Sequence, residues 1–135
     1  MIQKIQSRRG GFTLVEIMIV VAIIALLAAI AVPNFLRARK RSQATRILED
    51  LRMLDSATDQ YAIENNKTSN AVANFSDLKY YLKTGSVLYT TGDDIFGDAY
   101  GPNFTVDNIP LVPLSAWNTL SDVAPLSFWS PYTHP

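Results

Sequence analysis

The chain has 135 residues, no cysteine, one histidine and a formal net charge of zero. Without cysteine it forms neither a disulfide framework nor a thiolate metal site, and neutrality provides no overall field to attract nucleic acid. The one histidine, His134, lies beside the C-terminus, which argues against a serine-histidine-aspartate mechanism or a histidine-based zinc site. Composition therefore argues against these catalytic mechanisms and metal sites and gives no general attraction for nucleic acid.

Neutrality hides two oppositely charged parts. Through Arg52 there are nine basic residues and three acidic ones, a net charge of +6, whereas from Met53 onward three lysines accompany nine acids, a net charge of −6. The length fits one domain of ordinary size. The charge therefore differs between two regions of the chain, while the whole protein carries no net charge.

The strongest signal is the run from Phe12 to Leu36, 25 residues with a single charge, Glu16. At about 1.5 Å per residue it would span roughly 37 Å as a helix, enough to cross a hydrocarbon core of about 30 Å. The basic residues Lys4, Arg8 and Arg9 precede it. We predict a membrane-spanning helix over residues 12–36.

A secretory signal peptide is the alternative for this segment, because such peptides also begin with basic residues followed by an apolar stretch. Ala29-Ile30-Ala31 fits a small-residue cleavage site. Against this reading, Glu16 interrupts the apolar stretch near its start, and helical periodicity resumes soon after Arg37.

An amphipathic helix is predicted beyond the span, since apolar residues recur at intervals of three and four. Its apolar face is formed by Ala44, Ile47, Leu48, Leu51, Leu54, Ala57 and Tyr61. Its polar face is formed by Arg46, Glu49, Asp50, Arg52, Asp55 and Asp59. One helix from Phe12 to about Glu64, roughly 80 Å long, would join both segments, with Asn65 and Asn66 as its stop.

A small mixed region follows this helix. We predict a short helix within residues 74–83, with Ser76 as N-cap and Gly85 at its end, and a helical turn from Ser115 to Leu120. The predicted strands are Val87 to Thr91 and Asn103 to Asp107, paired antiparallel, and an edge strand from Pro125 to Trp129. The fold class is α+β, with a long N-terminal helix packed on a small antiparallel sheet. The predicted parts of the chain are a leader (1–11), a transmembrane helix (12–36), the amphipathic continuation of that helix (37–65) and a small globular α+β domain (66–135).

The junction Arg8-Arg9-Gly10-Gly11-Phe12-Thr13-Leu14-Val15-Glu16 resembles the prepilin-type signal of type IV pilins and type II secretion pseudopilins. It combines a basic leader, a Gly-Phe junction, a Glu at the fifth position of the product and an unbroken apolar helix. The resemblance implies cleavage between Gly11 and Phe12 by a membrane prepilin peptidase and N-methylation of Phe12. It is detailed to about Leu36, follows the helix to about Asn65 and thins beyond.

The resemblance also implies orientation and localisation. Leaders of this family stay cytoplasmic while the C-terminal domain faces outward from the bacterial inner membrane. The count of basic residues alone would place the C-terminal side in the cytoplasm, because five of them follow the span closely. Those residues, at 37–46, suit either anionic membrane lipid at the outer headgroups or a solvated helix face.

Two residues of the apolar helix carry predicted assembly roles. An acid in a membrane helix is costly, so Glu16 needs a reason, and cleavage would create a positive partner, the amine of Phe12. Pairing with the amine of a neighbouring subunit would fix the register of packed helices. Pro33 cannot donate to the carbonyl of Ala29, so the helix should bend or loosen there, and the resemblance suggests unwinding of residues 25–33 in filaments.

Calcium is raised by the resemblance alone, since major pseudopilins bind it in a C-terminal loop. Asp93, Asp94, Asp98 and Asp107 could supply oxygen ligands, but their spacing matches no EF-hand, and a solvated turn is the alternative. No other cofactor is expected.

The sequence therefore predicts a non-enzymatic structural subunit of a type IV pilus or type II secretion pseudopilus, a homo-oligomeric helical filament. Its partners would be the prepilin peptidase and methyltransferase, the inner-membrane assembly machinery and membrane lipid, with no nucleic acid. The alternative is a single-span anchored receptor or binding module that never assembles.

Overall fold

The computed structural model describes residues 10–135. The predicted basic leader residues Lys4, Arg8 and Arg9 lie outside the described residues. The first element, α1, is a helix from Leu14 to Glu64, 51 residues long. It ends where the sequence predicted, because Asn66 adopts a positive φ of 48° and cannot continue the helix.

Short elements make up the remainder. Two strands, β1 (Val72–Asn74) and β2 (Asn103–Thr105), form an antiparallel pair. The helices are α2 (Phe75–Leu78), α3 (Val87–Thr91), α4 (Leu114–Leu120) and α5 (Leu126–Trp129). A 3₁₀ turn, Lys79–Tyr81, follows α2 directly. The α+β class with a long N-terminal helix and a small antiparallel sheet is confirmed.

The chain divides into two compact units, one ending at Leu36 and one running from Arg37 to Pro135. In the first, every described residue is exposed. In the second, α1 buries the predicted apolar stripe: Ala44, Ile47, Leu51 and Leu54 are fully buried, and Tyr61 is half-buried. The helical periodicity therefore identified one wall of the core correctly.

The rest of this core comes from the short elements and the loops between them. Its most deeply buried members are Ala73, Leu78, Val112, Ala116, Leu120, Ala124 and Trp129. Trp129 is completely buried, and its indole Nε1 donates to the carbonyl of Ala124 at 3.1 Å. Tyr132 is also buried. The aromatic C-terminal segment is thus part of the packing that covers α1.

The predicted pairing of residues 87–91 with residues 103–107 is wrong. Val87–Thr91 is a helix, although its residues favour strands. Ser86 caps it by accepting from the N–H of Tyr89 at 3.1 Å, and Gly92 ends it with a φ of 75°. These two caps satisfy the ends of a single helical turn, and that local gain outweighs the β propensity.

The strand partner of β2 is β1, with Val72 opposite Thr105 and Asn74 opposite Asn103. The second predicted strand was therefore correct over Asn103–Thr105, while its partner was missed. β1 has only three residues, too few to show an alternating pattern in the sequence.

Two further predictions need correction. The N-cap of α2 is Asn74 and not Ser76, and the carboxylate of Asp77 accepts from the N–H of Asn74 at 3.1 Å. The predicted edge strand ending at Trp129 is instead α5, which starts after Pro125 because the fixed φ of proline suits the beginning of a helix.

Candidate assembly site

The predicted cleavage junction lies in non-helical backbone immediately before α1. Gly11 and Phe12 are exposed, with 89% of the Phe12 surface accessible. Among residues 10–135, a Cβ added at Gly11 would meet nothing within 4 Å. The described part of the fold therefore places no steric demand on Gly11.

A reciprocal cap begins α1 beside that junction. The N–H of Thr13 donates to Oε2 of Glu16 at 2.7 Å, and the N–H of Glu16 donates to the Thr13 hydroxyl at 3.2 Å. Together they satisfy two of the four free N–H groups that every helix start leaves. Glu16 thus has a structural role in its own chain that the pairing hypothesis overlooked. The Thr-x-x-Glu spacing at 13–16 was the signal that could have shown it.

The segment after this cap is one exposed apolar surface. Its best 18-residue window has a mean hydropathy of 3.0 and no buried residue, and α1 is the single helix among residues 10–135 long and apolar enough to cross a membrane. Pro33 lies inside α1, which is helical on both sides of it. Unwinding before Pro33 in a filament stays a prediction.

The structure therefore brings Gly11, Phe12 and Glu16 together at the start of α1. Pro33 lies 17 residues after Glu16, about 25 Å farther along the helix at 1.5 Å per residue. The arrangement suits recognition and packing of the helix.

One residue of the basic cluster has a partner within the chain. Nζ of Lys40 contacts Oδ2 of Asp122 at 2.9 Å, and both side chains remain partly exposed. The hydrogen bond from Lys40 lowers the pKa of the Asp122 carboxyl, and the charges of Lys40 and Arg37 act in the same direction. Lys40 is thus neither simply solvated nor free for lipid, whereas Arg37, Arg39 and Arg41 are exposed.

The four predicted calcium ligands are divided by the fold. Asp93, Asp94 and Asp98 share the loop after α3, whereas Asp107 lies in the turn after β2 with a φ of 66°. Among residues 10–135 no group of three or more histidine, cysteine or acidic residues is placed to hold a metal. Calcium binding stays a prediction that this geometry does not favour.

Within that loop, Asp94 acts as a structural residue. Its Oδ1 accepts from the N–H groups of Phe96 and Asp98 at 2.8 and 3.0 Å, which closes a tight turn. Its Oδ2 is buried and has no hydrogen-bond partner among residues 10–135. Burial raises the pKa of Asp94 despite the two N–H donors.

A buried polar contact that the sequence did not predict joins α1 to the same loop. Asp50 was placed on the solvent face of α1, but only 9% of its surface is exposed. The hydroxyl of Tyr100 donates to its Oδ2 at 3.0 Å. Burial raises the pKa of both groups, so the phenol stays protonated and remains a donor at neutral pH. Nothing local in the sequence marks a contact between residues 50 positions apart.

Comparison with known proteins supports the importance of the N-terminal segment. Residues 6–32 match the prokaryotic N-terminal methylation motif. This match supports the resemblance of the segment to the prepilin-type signal of type IV pilins and pseudopilins. Both the leader junction and most of the exposed apolar helix fall within the matched residues.

The proteins similar to this chain include type IV pilus subunits and a type II secretion system core protein. The chain is 41% identical over 69 residues to the type IV major pilin protein PilA of Myxococcus xanthus, covering 51% of this chain and 31% of that one. It is 48% identical over 64 residues to the type IV wide pilus major component PilA4 of Thermus thermophilus, covering 47% and 49%. It is 35% identical over 62 residues to the type II secretion system core protein G of Aeromonas hydrophila, covering 46% and 43%.

The similarity to these pilin-family proteins is partial. The aligned segments span at most about half the length of each of the three relatives. No solved structure matches the chain. The similarity therefore covers only part of this chain, and half or more of each relative has no counterpart in the alignments.

Proposed function

We propose that this chain is a structural subunit of a helical filament, a type IV pilus or a type II secretion pseudopilus. Residues 12–36 anchor it in the bacterial inner membrane with the C-terminal domain outside the cytoplasm. A prepilin peptidase cleaves after Gly11, Phe12 is N-methylated, and inner-membrane machinery polymerises the product through its N-terminal helix. The similarity to pilins and pseudopilins supports this role.

The observation that carries the proposal is the exposed apolar surface of α1 with one acid at its start. Residues 14–36 are exposed within the described range 10–135, so their apolar area is available to lipid or to other copies of the helix. Lipid covers this surface in the monomer, and neighbouring helices cover it in the filament. Packing of helices and not transfer from water drives that exchange.

Glu16 sets the register in this scheme. Cleavage releases an amine at Phe12, four residues before Glu16, and the amine of an adjacent subunit is an equally suitable partner. A charge pair among packed helices contributes little net stability but discriminates strongly against shifted alignments. The cap to Thr13 leaves the second carboxylate oxygen of Glu16 available, since a carboxylate accepts at both oxygens.

Processing is tested by the intact mass of the membrane-bound protein. The expected mass is that of residues 12–135 plus one methyl group. A chain beginning at Val32 would establish the secretory alternative, and a full-length chain would contradict the assigned junction.

Assembly is tested with two substitutions at one position. Glu16→Gln keeps an acceptor for the cap but removes the charge, whereas Glu16→Leu removes both. Both variants should be cleaved, yet neither should form filaments visible by electron microscopy of sheared surface material. Glu49→Gln, at an exposed glutamate elsewhere on α1, should assemble normally.

The two variants also separate the alternatives. Normal filaments from Glu16→Gln would show that capping alone is needed and that the pairing role is wrong. Absence of filaments from the unchanged chain, with its assembly machinery present and the product correctly cleaved, would favour the non-assembling anchored receptor.

A further inference from the structure

A shallow cavity of about 490 Å³ lies where the end of α1 meets α2 and the 3₁₀ turn. None of the residues discussed for assembly contributes to it. Its lining consists of three tyrosines, two acids and an amide: Tyr61, Tyr80, Tyr81, Glu64, Asp77 and Asn65.

The three tyrosine rings differ in how closely they pack against the domain. Tyr61 and Tyr81 are half-buried and meet edge to face, with ring centroids 6.4 Å apart and an interplanar angle of 77°. This contact fixes both rings against the domain. Tyr80 is 89% exposed, so its ring contributes almost nothing to the core. Tyr80 nevertheless lines the same cavity as the two anchored rings.

Negative charge accompanies the rings. The hydroxyl of Tyr81 donates to Oε2 of Glu64 at 2.7 Å, and this bond raises the pKa of Tyr81, so the phenol stays neutral. The Asp77 carboxylate is held by the N–H of Asn74. Both acids are therefore positioned by the fold, and electron-rich ring faces with fixed carboxylates select against anions and for cations.

The chain itself shows that one of these rings accepts an ammonium group. Nζ of Lys67 lies 5.9 Å from the centroid of Tyr61, within the range of a cation-π contact. The lysine is exposed and approaches from a flexible side chain, so an external cation can compete with it.

We propose that this cavity binds an organic ammonium group, with Tyr61, Tyr80 and Tyr81 contributing ring faces and Glu64 and Asp77 the compensating charge. The volume accommodates a quaternary or primary alkylammonium of a few carbon atoms. The proposal is independent of filament assembly, because every lining residue belongs to the unit from Arg37 to Pro135.

The test uses the full chain in a maltoside detergent, which carries no ammonium group of its own. The protein is labelled with ¹³C at its six tyrosines and titrated with choline, while NMR follows the ring signals. Signals of Tyr61, Tyr80 and Tyr81 should shift with saturation in the millimolar range. Signals of Tyr89, Tyr100 and Tyr132, which lie outside the cavity lining, are internal controls.

Two further ligands define the chemistry. The neutral isostere 3,3-dimethylbutan-1-ol has the shape of choline without its charge and should bind at least tenfold more weakly. Nα-acetyl-lysine amide tests whether a primary ammonium of a peptide side chain is bound as well as a free quaternary one. Tighter binding of the lysine derivative would assign the site to protein side chains, and tighter binding of choline to small molecules.

Two substitutions test the assigned contacts. Tyr80→Ala removes an exposed ring, and Glu64→Gln removes a charge while keeping an acceptor for Tyr81. Each should weaken choline binding about two- to fivefold, and Glu49→Gln should leave it unchanged. Equal binding of choline and its neutral isostere would overturn the proposal. So would shifts spread over all six tyrosines, or unchanged affinity in both variants.

Discussion

The two compact units of this chain use apolar residues in opposite ways. Before Leu36 they form an uninterrupted exposed surface, whereas after Arg37 they recur along one stripe of the same helix and are buried by short elements. Among the described residues, the first unit leaves its apolar surface exposed, whereas the second buries its own. A substitution should therefore affect folding in one unit and assembly in the other.

The largest contrast is expected from truncating a leucine in each unit. Leu51→Ala leaves a cavity in a fully buried site and should lower the free energy of unfolding by about 2 to 5 kcal/mol. Leu27→Ala, 60% exposed on the same helix, should leave it unchanged and act only on filament yield. Urea unfolding followed by tryptophan fluorescence measures both, because Trp129 is buried in the core. Equal losses of unfolding free energy in the two variants would show that the two units do not differ in this way.

Substituting one glycine in each unit gives a second comparison of the two units. Gly92 has a φ of 75°, and a Cβ there would lie 3.0 to 3.2 Å from the Phe75 ring, so Gly92→Ala should destabilise the domain by about 2 kcal/mol. Gly11→Ala adds a Cβ in open space and should leave the urea midpoint unchanged. Loss of stability from the Gly11 variant would show that the junction contributes to folding after all.

A smaller effect concerns pH. The pKa of Asp50 is raised above 3.8 by burial, as are those of Asp55 and Asp94, so the folded state binds their protons more tightly than the unfolded state. The contribution of these three groups to stability should consequently rise as pH falls from neutral toward about 4, with no further gain below their unfolded pKa, whereas the lowered pKa of Asp122 acts in the opposite direction. Urea midpoints measured from pH 8 to pH 4.5 test the direction.

Asp50→Asn is the matched variant for that experiment. It keeps an oxygen to accept from Tyr100 but cannot ionise, so it should flatten the pH dependence and leave the domain at least as stable at pH 7. An unchanged slope would remove Asp50 from the account and leave Asp55 and Asp94.

The smallest effect is expected at the Lys40 and Asp122 pair. Its partners are partly exposed, so solvent and salt screen the attraction, and Asp122→Asn should leave the urea midpoint near that of the unchanged chain. A large salt-sensitive loss would show that this contact organises the start of the folded unit.

The features of both units that depend on consecutive residues could be predicted from the sequence. The exposed helix could be predicted because its signals are local: uniform apolarity, the Gly11-Phe12 junction and Glu16. The buried stripe of α1 was also predictable, since 3.6-residue periodicity is a property of consecutive residues. The end at Asn66 needed only the tolerance of asparagine for positive φ.

What the sequence did not reveal depends on contacts between distant residues or on very short elements. The strand β1 shows no periodicity in three residues, and the buried Asp50 contacts Tyr100, which lies 50 positions away in the sequence. Helix α3 shows another reason, because caps at Ser86 and Gly92 decide a five-residue segment against its side-chain preferences. The cap between Thr13 and Glu16 was readable but was overlooked in favour of a partner outside the chain.

That cap has a consequence for the chemistry of the new chain end. Thr13 and Glu16 both lie downstream of the Gly11-Phe12 bond, so a cut there removes no atom of the cap, and the helix start survives loss of the leader. The released amine would sit beside the positive end of the helix macrodipole, where a second positive charge is unfavourable. Glu16, one turn away, offsets both charges at once. The same carboxylate that caps the helix would therefore reduce the repulsion between the new amine of Phe12 and the positive end of the helix dipole.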